Sequence, residues 1–145
     1  MAILIEKAQA NDAKEICELD EHIDRDAMLE KIDRGEIVVA RKDQQILGCL
    51  RFSFFWDEIP FLNLIKVQNK FQTTGIGTSL MDAWEQEMKA AGHTKVMTSS
   101  QSNESAQHFY RKRGYKDIGE MTLPREASEI FFLIALATKN LLFWS

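Results

Sequence analysis

The chain has 145 residues, 45% hydrophobic and 28% charged, with 7 glycines and 2 prolines, enough for one domain to bury a real core. That composition excludes collagen-like, low-complexity and disulfide-scaffold chains. Lys and Arg number 18 against 22 Asp and Glu, so the net charge is −4 and no nucleic-acid partner is expected, because coating a phosphate backbone needs a large basic surface.

The start, Met1 to Glu6, reaches an acid too early for the apolar core of a signal peptide. The longest apolar run, Ile130 to Ala137, is far short of the roughly 20 residues that span a bilayer. Cys17 and Cys49 give no disulfide framework and no metal spacing. The expectation is a cytoplasmic protein with no membrane partner, as one domain over residues 1–137 followed by an apolar tail, 138–145.

In chain order, alternating Ile3, Leu4, Ile5 and Glu6 predict a short first strand. Asn11 or Asp12 is expected to cap a helix with Ile16, Cys17 and Leu19 on one stripe. A second helix should start near Asp24 or Asp26 and stop at Gly35. Strands follow over Ile37–Ala40, Ile46–Trp56 and Phe61–Val67, the first two joined by a tight turn at Lys42–Gln44. A polar loop from Gln68 to Thr74 leads into Gly75-Ile76-Gly77 and a long helix whose buried stripe is Ile76, Leu80, Trp84, Met88 and Ala91. Gly92 stops it, and Thr94–Ser99 reads as a strand. Asn103 or Ser102 should cap a further helix carrying Ala106, Phe109 and Tyr110 and ending at Gly114, before an antiparallel pair, Tyr115–Thr122 and Glu129–Leu136.

Two segments carry chemistry. A glycine pair between a strand and a helix suits an anion, because the opening amides of a helix lack intrahelical acceptors and sit at the positive end of its dipole. A P-loop would need Gly-Lys-Ser/Thr, and here Gly77 is followed by Thr78-Ser79. A dinucleotide fingerprint would need a third glycine where Leu80 stands. A ligand-free glycine turn is the plain alternative for this motif alone.

The second segment, Asn103 to Tyr115, comes one strand later. Together the two resemble the GNAT superfamily of acyl-CoA N-acyltransferases. Its Gln/Arg-x-x-Gly-x-Gly/Ala signature is met by Gln72, Gly75 and Gly77, and its Asn-x-x-Ala-x-x-Phe-Tyr signature by Asn103, Ala106, Phe109 and Tyr110, then Gly114-Tyr115. The resemblance spans about Ile3 to Leu136. It implies an α/β fold: a mixed, largely antiparallel sheet of about seven strands flanked by about four helices, with parallel, splayed fourth and fifth strands. It implies acetyl-CoA as cosubstrate and no metal. The pyrophosphate would meet the amides of Gln72, Thr73, Thr74, Gly75, Ile76, Gly77 and Thr78, and the pantetheine arm would pair with backbone near Ile65 and Val67. Asn103, Phe109, Tyr110 and Lys112 complete the cofactor-binding set. One departure stands out: the family often has Arg-Gly where this chain has Gln72-Thr73. The branched Thr73 is expected to avoid positive φ and to weaken or alter cofactor binding.

Thioester aminolysis expels a thiolate that needs a proton, and a tyrosine, with an ordinary pKa near 10, can supply it at neutral pH. The resemblance gives this role to Tyr110; a packed aromatic with a satisfied hydroxyl is the plain alternative. The amine must lose a proton as well. The fourth strand offers only Asn63 and Lys66, so Asp57 and Glu58 in the preceding turn are candidate bases, and Glu21 and Asp24 are further candidates. These four acids suggest a small-molecule or peptide amine acceptor of positive charge. His22, His93 and His108 make no metal spacing, and Arg111-Lys112-Arg113 suits the negative end of its helix. The tail Leu141–Trp144 fits packing on the domain or on a second copy in a homodimer. A non-catalytic acyl-CoA-binding sensor or partner-binding module is the alternative function, and a bare scaffold would leave the glycine loop unexplained.

Overall fold

The computed structural model describes residues 2–136, so the apolar tail lies outside the described residues. The elements run β1 (Leu4–Lys7), α1 (Ala13–Leu19), α2 (Arg25–Asp33), β2 (Ile37–Lys42), β3 (Gln45–Phe55) and β4 (Ile59–Val67). Then come α3 (Ile76–Ala90), β5 (Lys95–Gln101), α4 (Ala106–Lys112), β6 (Lys116–Met121) and β7 (Glu129–Ala135). The fold is mixed α/β, with strands in the order β1-β2-β3-β4-β5-β7-β6. The residues group into two compact units, 2–53 with 63–86 and 54–62 with 87–136.

In the first unit, β1, β2 and β3 are antiparallel neighbours, with a bulge at Ala40/Arg41. Ile37-Val38-Val39-Ala40 is buried throughout, as a strand covered on both faces must be. Ile37, Val39 and Cys49 join Ile16 and Met28 of α1 and α2 in one core cluster. Gly48 and Phe52 face α3. A Cβ on Gly48 would come within 3.0 Å of the Lys66 carbonyl and 3.3 Å of Ile76 and Leu80, so this strand–helix approach requires glycine. Phe52 packs on Trp84 at 5.7 Å between centroids.

The first helix starts at Ala13 with Asp12 at its N-cap position, as expected, but without the expected side-chain bond. Residues Ala10–Asp12 form a short 3-10 turn, and the Asp12 side chain does not cap α1. Its carboxylate instead takes the Gln9 N–H at 2.8 Å and the Arg41 guanidinium at 2.9 Å, and the tie to β2 is one that local reading misses. Asp24 does cap α2, accepting from the Ala27 N–H at 2.9 Å.

In the second unit, β7 lies between β5 and β6, antiparallel to both. β4 joins β5 in a parallel ladder of Phe61↔Met97 and Leu62↔Thr98. The β3–β4 turn places Trp56 and Asp57 at φ 56° and 59°, and the Glu58 N–H closes it onto the Phe55 carbonyl at 3.0 Å. Two successive positive φ values mark the mirror-image turn that matches the twist of a hairpin. The fourth helix starts at Ala106, later than a cap at Ser102 or Asn103 would set. Glu104 accepts the Gln101 N–H and Gln107 donates to the Ser102 and Glu104 carbonyls, which holds residues 102–105 as a turn.

Candidate functional site

The first unit carries the glycine loop. Its base is tied to β3, with the Gln68 N–H on the Leu47 carbonyl at 2.8 Å and the Gln68 carboxamide donating to the Ile46 carbonyl at 2.5 Å. The Thr74 N–H reaches the Phe71 carbonyl at 3.3 Å, closing a turn in which Gln72 has φ −63° and ψ 139° and Thr73 has φ 85°. Those angles are a type II turn, which demands positive φ at its third residue. The expectation for Thr73 is therefore overturned. A β-branched residue occupies the left-handed region because the turn's hydrogen bond and the Thr74 hydroxyl, donating to the same Phe71 carbonyl, set the backbone. The Gln72 carboxamide turns inward, donating to the Val67 carbonyl and the Asn69 side chain at 3.2 Å each.

Gly75 follows at φ 88°, and a Cβ there would meet nothing within 4 Å, so the backbone is open on that side. The Ser79 N–H to the Gly75 carbonyl, at 3.0 Å, is a first-turn bond of α3. The amides of Ile76, Gly77 and Thr78 precede it and have no intrahelical acceptor by helix geometry. A 15-residue helix presents these donors at the positive end of its dipole, behind an exposed loop, which fits a phosphate group. Ile65 and Val67 are half-buried on the last residues of β4, leading into this loop.

The same unit holds a concavity of about 370 Å³ where the loop after α1 faces the end of β4, lined by Glu18, Glu21, His22 and Lys66, among others. The loop is braced from beneath. The fully buried Asp20 carboxylate takes the Arg51 guanidinium at 2.8 Å and the His22 N–H at 3.1 Å.

In the second unit, Tyr110 is 4% exposed on α4 and packs against Phe109, Tyr115 and Phe132, with centroids 5.7, 5.9 and 5.8 Å away. The Thr98 side chain acts on the Tyr110 phenol, and the Thr98 hydroxyl donates to the Leu62 carbonyl at 3.1 Å. Burial pushes the Tyr110 phenol above its ordinary value, partly offset by the Thr98 bond, so it stays protonated at neutral pH. Phe109 is half-buried beside it, while Asn103 and Lys112 are exposed. Arg111 is committed elsewhere, donating to both carboxylate oxygens of Asp117 at 3.1 and 2.9 Å. Asp57 and Glu58 are exposed at the tip of the β3–β4 hairpin.

The sequence model described as the acetyltransferase (GNAT) family matches residues 4–115. The chain belongs to the GNAT acetyltransferase family. It is an acetyl-CoA-dependent N-acetyltransferase. Comparison with curated proteins gives no significant sequence match. Among solved structures, this GNAT chain is similar to Ard1 from Thermoplasma volcanium, with 15% identity, TM-score 0.85, and 95% of this chain and 100% of that one covered. It is similar to a GNAT-family acetyltransferase from Bacillus cereus, with 25% identity, TM-score 0.78 and coverage of 95% and 100%. It also resembles the PaiA N-acetyltransferase from Thermoplasma acidophilum, solved in complex with coenzyme A, with 17% identity, TM-score 0.78 and coverage of 93% and 99%. The fold expected of the family is present, including the parallel β4–β5 pair. No helix among the described residues is long and apolar enough to cross a membrane.

Sequence reasoning passed over Thr98, Asp20 and Arg51. A hydroxyl-rich run, Thr98-Ser99-Ser100, inside an otherwise apolar strand was the available signal for the first. The buried Asp20–Arg51 pair joins residues 31 positions apart and has no local signature.

Proposed function

We propose that this acetyltransferase transfers the acetyl group to a primary amine of a small molecule or peptide by direct attack, with Tyr110 as the acid. The amine nitrogen forms a bond to the thioester carbon, the C–S bond breaks, and the phenol proton passes to the departing sulfur. The observation that carries this reading is the buried Tyr110 hydroxyl, held protonated above its ordinary range. Within the loop Gln72–Thr78 the amides of Ile76, Gly77 and Thr78 hold the pyrophosphate, those of Gln72 and Thr74 being taken by the Asn69 and Phe71 carbonyls; Ile65 and Val67 offer backbone to the pantetheine arm, and Asn103, Phe109 and Lys112 complete cofactor binding. Asp57 and Glu58 are the bases proposed to take the amine's proton.

The cysteines support direct attack. Burial raises Cys49 to about 12 and also raises Cys17, so neither supplies a ready thiolate for an acyl-enzyme. The test is thiol release from acetyl-CoA by purified protein across a panel of amines. Release with one class of amine, lost in Tyr110→Phe, is the expected result. Tight acetyl-CoA binding with no release for any amine would establish the non-catalytic binding module instead.

A further inference from the structure

Several charged side chains of the first unit are paired. Asp12 and Glu6 hold Arg41, Asp20 holds Arg51, Glu36 holds Lys31 and Glu30 holds Arg34. The side chains of Glu18, Glu21, His22 and Lys66 have no hydrogen bond or ion pair to a described residue, and all four line one concavity. Leu19 and Leu64, which also pack on the unit's core cluster, supply its apolar part. At about 370 Å³ it is at the small end of the range for ligand sites.

We propose that this concavity receives the acceptor and that the acceptor is a small zwitterion of the free amino-acid type, its ammonium drawn by Glu18 and Glu21 and its carboxylate by Lys66. The proposal rests on the acetyl-transfer reading and specifies its substrate class. Lys66 is the decisive group. Two carboxylates alone would suit any cation, as the acids in the sequence suggested, whereas an unpaired ammonium in the same hollow calls for an anion on the ligand. Asp24, by contrast, is occupied as the cap of α2. The buried Asp20–Arg51 pair fixes the backbone that carries Glu21 and His22, so the acidic wall is set before the ligand arrives. The groups are solvated, so each pair contributes modestly, and selectivity comes from requiring both charges.

The experiment compares each of several amino acids with its own C-terminal amide, which keeps the amine and removes the anion, at fixed acetyl-CoA. The kcat/KM ratio of acid to amide is measured for the wild type, Lys66→Ala and Lys66→Glu. The expected wild-type preference for the free acid is about five-fold or more, falling toward one in Lys66→Ala and inverting in Lys66→Glu. A preference for the amide in the wild type, or a ratio that Lys66 variants leave intact, overturns the proposal. Turnover of amines without an anion as fast as of their free acids would sink the zwitterion and keep the transferase, whereas absence of turnover with every amine would sink the transferase reading itself.

Discussion

Thr98 donates its hydroxyl proton to the carbonyl of Leu62, the residue it faces across the parallel β4–β5 ladder, and its side chain also acts on the Tyr110 phenol. The Thr98 interaction partly offsets the rise that burial gives the Tyr110 phenol, favouring the phenolate left once the proton is given away. Thr98→Val keeps the shape and removes the hydroxyl. The expected outcome is a kcat about three- to ten-fold lower, with KM for acetyl-CoA little changed and with Thr98→Ser restoring most of the loss. Unaltered kcat in Thr98→Val, with chemistry limiting, would show that the bond only packs the core.

Tyr110→Phe should lower kcat about ten-fold to a thousand-fold at nearly constant acetyl-CoA affinity, because proton donation matters in the transition state. The pH profile adds a second readout. The phenol titrates above its ordinary value near 10 mainly because burial disfavours the phenolate, so the wild-type rate should hold until beyond about pH 10. The same shift contributes stability that is fully present below pH 10 and is lost as pH rises through the raised value. A fall in kcat beginning near pH 8 would contradict this account.

Thr73→Gly should stabilise the fold. A left-handed L-residue costs roughly 1–2 kcal/mol and a β-branched one more, while glycine gives back about 1 kcal/mol through the unfolded chain. The net gain of about 1 kcal/mol should raise Tm by about 3 °C, read by calorimetry. Removing a branched side chain beside the phosphate-facing amides should also tighten acetyl-CoA binding. A lower Tm would mean that Thr73 does not hold the positive φ.

Gly77→Val should abolish acetyl-CoA binding while leaving the domain folded, since a side chain at the second residue of α3 blocks close approach to the helix amides. Unchanged affinity by calorimetric titration, with native circular dichroism, would remove the loop from cofactor binding.

Arg51→Ala leaves the Asp20 carboxylate buried without its cation, and losing one partner of a buried pair costs about 3 kcal/mol or more. Urea unfolding should show the shift in midpoint, and His22 should lose the fixed backbone next to Asp20. A change under 1 kcal/mol would show that water replaces the guanidinium.

The amino-acid order by itself determined the elements and the family. Apolar spacing gave the α3 stripe, where Leu80 and Trp84 are fully buried, and the spacing of Gln72, Gly75 and Gly77 from Asn103, Ala106, Phe109 and Tyr110 marked the family. These signals are local, because a helix or a turn is encoded within a few residues. Tertiary structure decided what depends on distant partners. Asp12 gave up its cap for Arg41, 29 residues away, and β7 took the place between β5 and β6 that chain order does not specify. Thr73 was forced to positive φ by a turn hydrogen bond that propensity alone would have avoided. Tyr110 meets Thr98 only when α4 packs on the sheet, because side chains of separate elements come together only on folding.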